Sequence, residues 1–91
     1  MQTKTAAKAT AKHLARRTWA IRVTLSEASK PSAEYLERLA AYAELLRDRV
    51  EAAAAISPAG TKNAVIDART VAANARRDAD QARKMQDRYA Y

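Results

Sequence analysis

The chain of 91 residues contains 24 Ala but only 13 Leu, Ile and Val together, with no Phe, no Cys, one Gly and two Pro. That is too little bulk for an ordinary globular core and too few turn residues for a sheet protein or a multi-loop enzyme. Seventeen Lys and Arg against ten Asp and Glu give a net charge of +7, which points to an acidic partner: nucleic acid, an anionic membrane surface or an acidic protein face.

The pattern predicts an all-α fold, a single helical domain over residues 1–91, with helix 1 at about 3–29, helix 2 at about 32–56 and helix 3 at about 61–89. Two breaks separate the helices, Lys30-Pro31-Ser32 and Ser57-Pro58-Ala59-Gly60. Each sets a Pro beside a Ser that can cap a helix N-terminus.

In helix 1 the apolar seam is Ala7, Ala11, Leu14, Thr18, Ile21, Leu25 and Ala28, stepping by four and three in turn. Its cations are Lys4, Lys8, Lys12, Arg16, Arg17 and Arg22, with no acid before Glu27, and residues 1–30 carry +6. Lys8, Lys12 and Arg16 are expected opposite the Leu14–Ile21–Leu25 side, so the helix would pack by one face and offer cations on the other. Such a face binds phosphates without sequence preference and with strong salt dependence; the competing reading is a solvated face that keeps an Ala-rich helix in solution. Trp19 falls on the cationic side, where a ring can stack on a base or sit at a lipid surface. With Val23 it makes a second apolar side, for a second neighbour or for half-burial against the start of helix 2. The acid-free residues 1–26 also share the composition of a mitochondrial transit peptide. An apolar face made largely of Ala gives a weak membrane-surface helix.

Helix 2 carries the bulk, with Leu36, Leu39, Ala43, Leu46, Val50 and Ala53 as a central row; Tyr35, Tyr42 and Leu45 lie off it as interface candidates. Residues 31–56 carry −2. Helix 3 has Val65, Ala68, Ala72, Ala75, Ala79 and Ala82, a seam that lets a neighbouring backbone approach closely but buries little area. Its charges predict i,i+4 pairs at Arg76–Asp80, Asp80–Lys84 and Arg83–Asp87. Met85, Tyr89 and Tyr91 end the chain as side chains suited to a neighbour's groove or to a frayed end.

Three seams at 3.5-residue spacing predict coiled-coil-like packing. The architecture is an up-down-up bundle or an extended helical hairpin with helix 1 projecting. A core this thin favours an oligomer or docking in an assembly.

Catalytic chemistry has little to work with. His13 has no carboxylate within four residues, Ser26, Ser29, Ser32 and Ser57 sit at helix ends, and Asp78 and Asp80 are two apart and point to different sides. A single Gly cannot make a P-loop or a dinucleotide fingerprint, and zero Cys removes disulfides and Cys-based zinc sites. No cofactor, metal or small-molecule substrate is expected. The longest apolar run is residues 52–56, against about 20 residues for a membrane span, and no secretory h-region stands out; the expected location is cytoplasmic or within a virion. Heavy use of Ala and Arg is what a GC-rich bacterial or phage genome writes. The sequence therefore predicts a non-enzymatic helical assembly protein whose basic N-terminal helix contacts a polyanion, nucleic acid first. The alternative is a pure protein-interaction module, such as a phage or virion structural component or an inhibitor of a larger acidic protein.

Overall fold

The structure is a computed structural model that describes residues 3–27 and 31–89, without the side chain of Tyr89. Three helices occupy it, α1 (Lys4–Glu27), α2 (Ala33–Ile56) and α3 (Lys62–Tyr89), and the described residues contain no strand. Ala28 of the expected first seam lies outside the described residues.

Local chemistry sets the helix ends. Thr3 Oγ1 accepts from the Ala6 amide at 3.1 Å, and Ser32, in extended backbone, accepts from the Tyr35 amide at 3.1 Å. Each satisfies an amide that a helix start leaves without a partner. Ser57 acts differently from the expected N-terminal cap: it closes the C-terminus of α2, its amide donating to the Ala53 carbonyl at 3.2 Å. The turn then reverses through Gly60 at φ 80°, a left-handed conformation that favours Gly. Thr61 is buried just beyond it and donates its hydroxyl back to the Ser57 carbonyl at 2.7 Å.

The bundle measures 54 × 20 × 18 Å, and each helix packs on both others, so α1 lies in the bundle and does not project. At one end Ala7, Ala11 and Ala15 of α1 meet Val50 and Ala53 of α2 and Ala64 and Ala68 of α3. At the other, Ile21 joins Leu36, Ala40, Val71, Ala75 and Ala79, with Leu14, Leu25 and Leu39 packed against the cluster. Early α1 thus meets late α2 and early α3, the up-down-up order. The buried stripe on each helix is wider than one 3.5-residue row, because each helix faces two neighbours: Ala15, Ala40 and Val71 are buried beside the seam residues. The largest fully buried side chains are Leu46, Val50, Thr18 and Thr61. Thr18 is tolerated there because its hydroxyl donates to the Ala15 carbonyl at 2.6 Å.

Between α2 and α3 the packing carries a row of ion pairs. Arg69 meets Glu51 at 2.7 Å. Arg76 meets Glu44 with two hydrogen bonds, at 2.6 and 3.2 Å. Arg83 meets Glu37. The arginines advance by seven while the glutamates retreat by seven, as two antiparallel helices in one register require. These contacts replace the i,i+4 pairs expected within helix 3. Arg76 and Arg83 reach across to α2, and Asp80 and Asp87 add only secondary attraction to them. The hydrogen bond from Arg76 holds the Glu44 carboxyl below its ordinary value against the opposing effect of burial, and Arg83 does the same for Glu37.

Two predictions follow from packing and pairing. Leu46→Ala should destabilise by about 3 kcal/mol, a large share of a small domain's stability, whereas Leu45→Ala, whose side chain is 45 % exposed, should cost under about 1 kcal/mol; urea unfolding distinguishes them. A carboxyl whose folded pKa is depressed contributes stability that is complete above its unfolded value and is lost as pH falls through the folded one. Glu44→Gln should therefore lower the melting temperature at neutral pH, and the gap from wild type should close as the pH is taken down through the carboxylate range.

Candidate functional site

The cations of α1 do not form one free stripe. Lys8 is half-buried, and its stem lies over Gly60: a Cβ at that position would come 2.7 Å from Lys8 Cε. It is a packing contact between α1 and the α2–α3 turn. Lys12 and Arg16 are exposed and, with Trp19, line a groove whose other wall is Gly60, Asn63 and Asp67. Further along, Arg22 and Ser26 face Asn74, Arg77 and Asp78 across the same pair of helices. Lys8, Lys12 and Arg16 therefore occupy the flank of α1 that faces α3, not the side opposite the core. Lys4 and Arg17 are exposed, and Arg17, two positions before Trp19, is turned about 200° away from the groove side.

Pairing separates these cations from three arginines of α3. Among the described residues none of Lys4, Lys8, Lys12, Arg16, Arg17 and Arg22 makes an ion pair, while Arg69, Arg76 and Arg83 all do. Arg22 instead stands 5.6 Å from the centroid of the Trp19 ring, within range of a cation–π contact. Trp19 itself is 54 % exposed and borders α3, not the start of α2. Its ring is a wall of the groove with a guanidinium already against it, so the structure corrects both the half-burial expected against α2 and the picture of an uncovered stacking platform.

The remaining interface candidates divide by helix. Val23 is partly exposed on α1; Tyr35, Tyr42 and Leu45 are exposed on α2; Met85 is exposed on α3. The Tyr89 side chain and Tyr91 lie outside the described residues. Sequence reasoning missed Ile56 and Ile66, both exposed near the α2–α3 turn. The signal was present, since Tyr35, Tyr42 and Ile56 recur at multiples of seven on a row beside the buried one. It also missed Asn63, Asn74 and Arg77, whose place in the groove depends on which flank of α3 meets α1.

His13 is exposed. Among the described residues no group of three His, Cys, Asp or Glu is placed to hold a metal ion, and no described helix is long and apolar enough to cross a membrane. No family model, curated protein or solved structure matches this chain.

Trp19 is the chain's single Trp and reports on the groove. Its fluorescence should be red-shifted and readily quenched by acrylamide in the folded protein, and Trp19→Ala should cost less than about 1.5 kcal/mol, half or less of the cost of emptying a core position. A blue-shifted, protected Trp would contradict the geometry.

Proposed function

We propose that this protein is a non-enzymatic helical binder of nucleic acid whose basic α1 holds the phosphate backbone without reading sequence. The observation that carries the reading is the unpaired state of the α1 cations among the described residues, beside Arg69, Arg76 and Arg83 of α3, which glutamates hold. A cation without a protein partner is available to neutralise a phosphate, and release of the counterions condensed on the nucleic acid drives association. The rigid helix holds Lys12 and Arg16 one turn apart, about 6 Å along the axis, so little side-chain order must be created on binding.

A second reading is a protein-interaction module. It is favoured by the outer row of α2, where exposed Tyr35, Tyr42 and Leu45 alternate with Arg38 and Arg49 at three- and four-residue steps. That row suits an apolar surface with acidic borders. The thin core and the heptad-spaced ion pairs also support coiled-coil-like packing within a larger oligomer or assembly, in which a virion component is one setting.

Anisotropy of a labelled random-sequence duplex, titrated with salt, tests the first reading. Wild type should bind with micromolar affinity at about 50 mM salt and weaken steeply as salt rises. Lys12→Gln with Arg16→Gln should weaken binding by at least tenfold and reduce the salt slope by about 2, while Lys8→Gln should have less effect. Absence of wild-type binding at low salt would refute the proposal.

A further inference from the structure

We infer that the phosphate backbone lies along the groove between α1 and α3, and that Asn74 and Arg77 of α3 form its second wall. This rests on the reading of the protein as a nucleic-acid binder and assigns binding residues outside the basic helix.

The argument starts from how α3 distributes its arginines. Arg69, Arg76 and Arg83 share one flank and are held by glutamates of α2. Arg77, one residue beyond Arg76, is turned about 100° from it and lines the groove that Arg22 and Ser26 border from α1. Its carboxylate neighbour is Asp78, with the nearest approach at 3.9 Å and the Arg77 side chain 71 % exposed. That distance is an ion pair without a hydrogen bond, and such an exposed contact exerts little hold. Arg77 thus keeps its donors for a ligand, as Arg69, Arg76 and Arg83 do not.

The two groove segments are continuous in register. Helices α1 and α3 run parallel, with Lys12, Arg16 and Trp19 against Asn63 and Asp67 in the first stretch and Arg22 against Asn74 and Arg77 in the second. Residues 12–26 of a helix rise about 21 Å, a length that spans several consecutive phosphates of one strand. Four cations line this length against the two carboxylates Asp67 and Asp78, so the groove attracts an anion. Each stretch carries two cations and one carboxylate, and in the second a phosphate would sit between Arg22 and Arg77, on the side away from Asp78, with the Asn74 amide as a neutral donor. A guanidinium on each wall fits the oxygens of one phosphate from two sides. Arg22 already covers the Trp19 ring, so the ring serves as a wall, and base stacking on it is not part of the binding mode.

Salt-titrated anisotropy with the same random duplex separates this inference from the broader reading. Arg77→Gln should weaken binding by three- to tenfold and reduce the salt slope by about 1; Arg77→Lys should keep the slope, and Asn74→Ala should weaken binding by a smaller factor with the slope unchanged. Lys62→Gln, an exposed cation at the other flank of α3, and Arg17→Gln, turned away from the groove, should each have a smaller effect than Arg77→Gln. Circular dichroism melts of Arg77→Gln should match wild type, since the side chain is exposed. If Arg77→Gln costs no more than Lys62→Gln and Arg17→Gln while Lys12→Gln with Arg16→Gln still weakens binding, the groove is overturned and the basic helix stands as the site. If wild type does not bind at all, both fall together.

Discussion

The register between α2 and α3 is the constraint on which the rest depends. Three arginines of α3 at seven-residue spacing meet three glutamates of α2 running the other way, and a slip of one residue would turn every pair out of reach. A slip of seven would preserve two of the three pairs, so the short turn through Pro58 and Gly60 completes the definition. The same contacts decide the electrostatics of the surface. Glu37, Glu44 and Glu51 are engaged with α3, and Asp48 is bound to its neighbour Arg47 at 2.9 Å. The cations of α1 are therefore left with only Asp67 and Asp78 along their groove and, among the described residues, no ion pair to either, and packing between two helices determines what the third displays.

The alanine-rich core explains why a polar row matters so much here. Ala7, Ala11, Ala68 and Ala75 are fully buried, yet each removes little apolar area from water compared with Leu. Small side chains let the helices approach closely but give weak orientation, because a row of methyl groups slides with little penalty. Bulk is confined to Leu36, Leu46, Val50, Ile21 and their surroundings, and two of the largest fully enclosed side chains are threonines whose hydroxyls bond back to their own helix or turn. Directional contacts between Arg and Glu supply the discrimination between registers that the alanines lack.

The three helices were legible in the sequence because the apolar period was unbroken and the two Pro-containing breaks stood alone. Leu46, Val50, Thr18 and Ile21 are buried where the periodicity put them. What a linear reading could not give was the identity of the flank. Arg76 is four residues from Asp80 and was expected to pair with it, yet a long guanidinium arm prefers a carboxylate across the interface that it can meet with two hydrogen bonds. Trp19 and Lys12 were assigned to a free back face, but with three helices each one has two contact flanks and only a narrow outer side. Lys8 was counted among the displayed cations, and its packing over Gly60 depends on a turn 52 positions later in the chain. Arg77 lies in a groove only because α1 packs along that flank of α3.

The charge arrangement and the fold reduce to one point: α2 and α3 pair Arg with Glu in one register, and the cations of α1 take no part in it. A charge exchange at the centre of the row tests it most directly. Thermal unfolding would be measured for Glu44→Arg, for Arg76→Glu and for the two together, as a double-mutant cycle. The account predicts that each single change lowers the melting temperature, because like charges then face each other across the helices, and that the combined exchange recovers most of the loss. A double variant as unstable as the sum of the two single losses would show that the pair does not set the register, and would contradict the account.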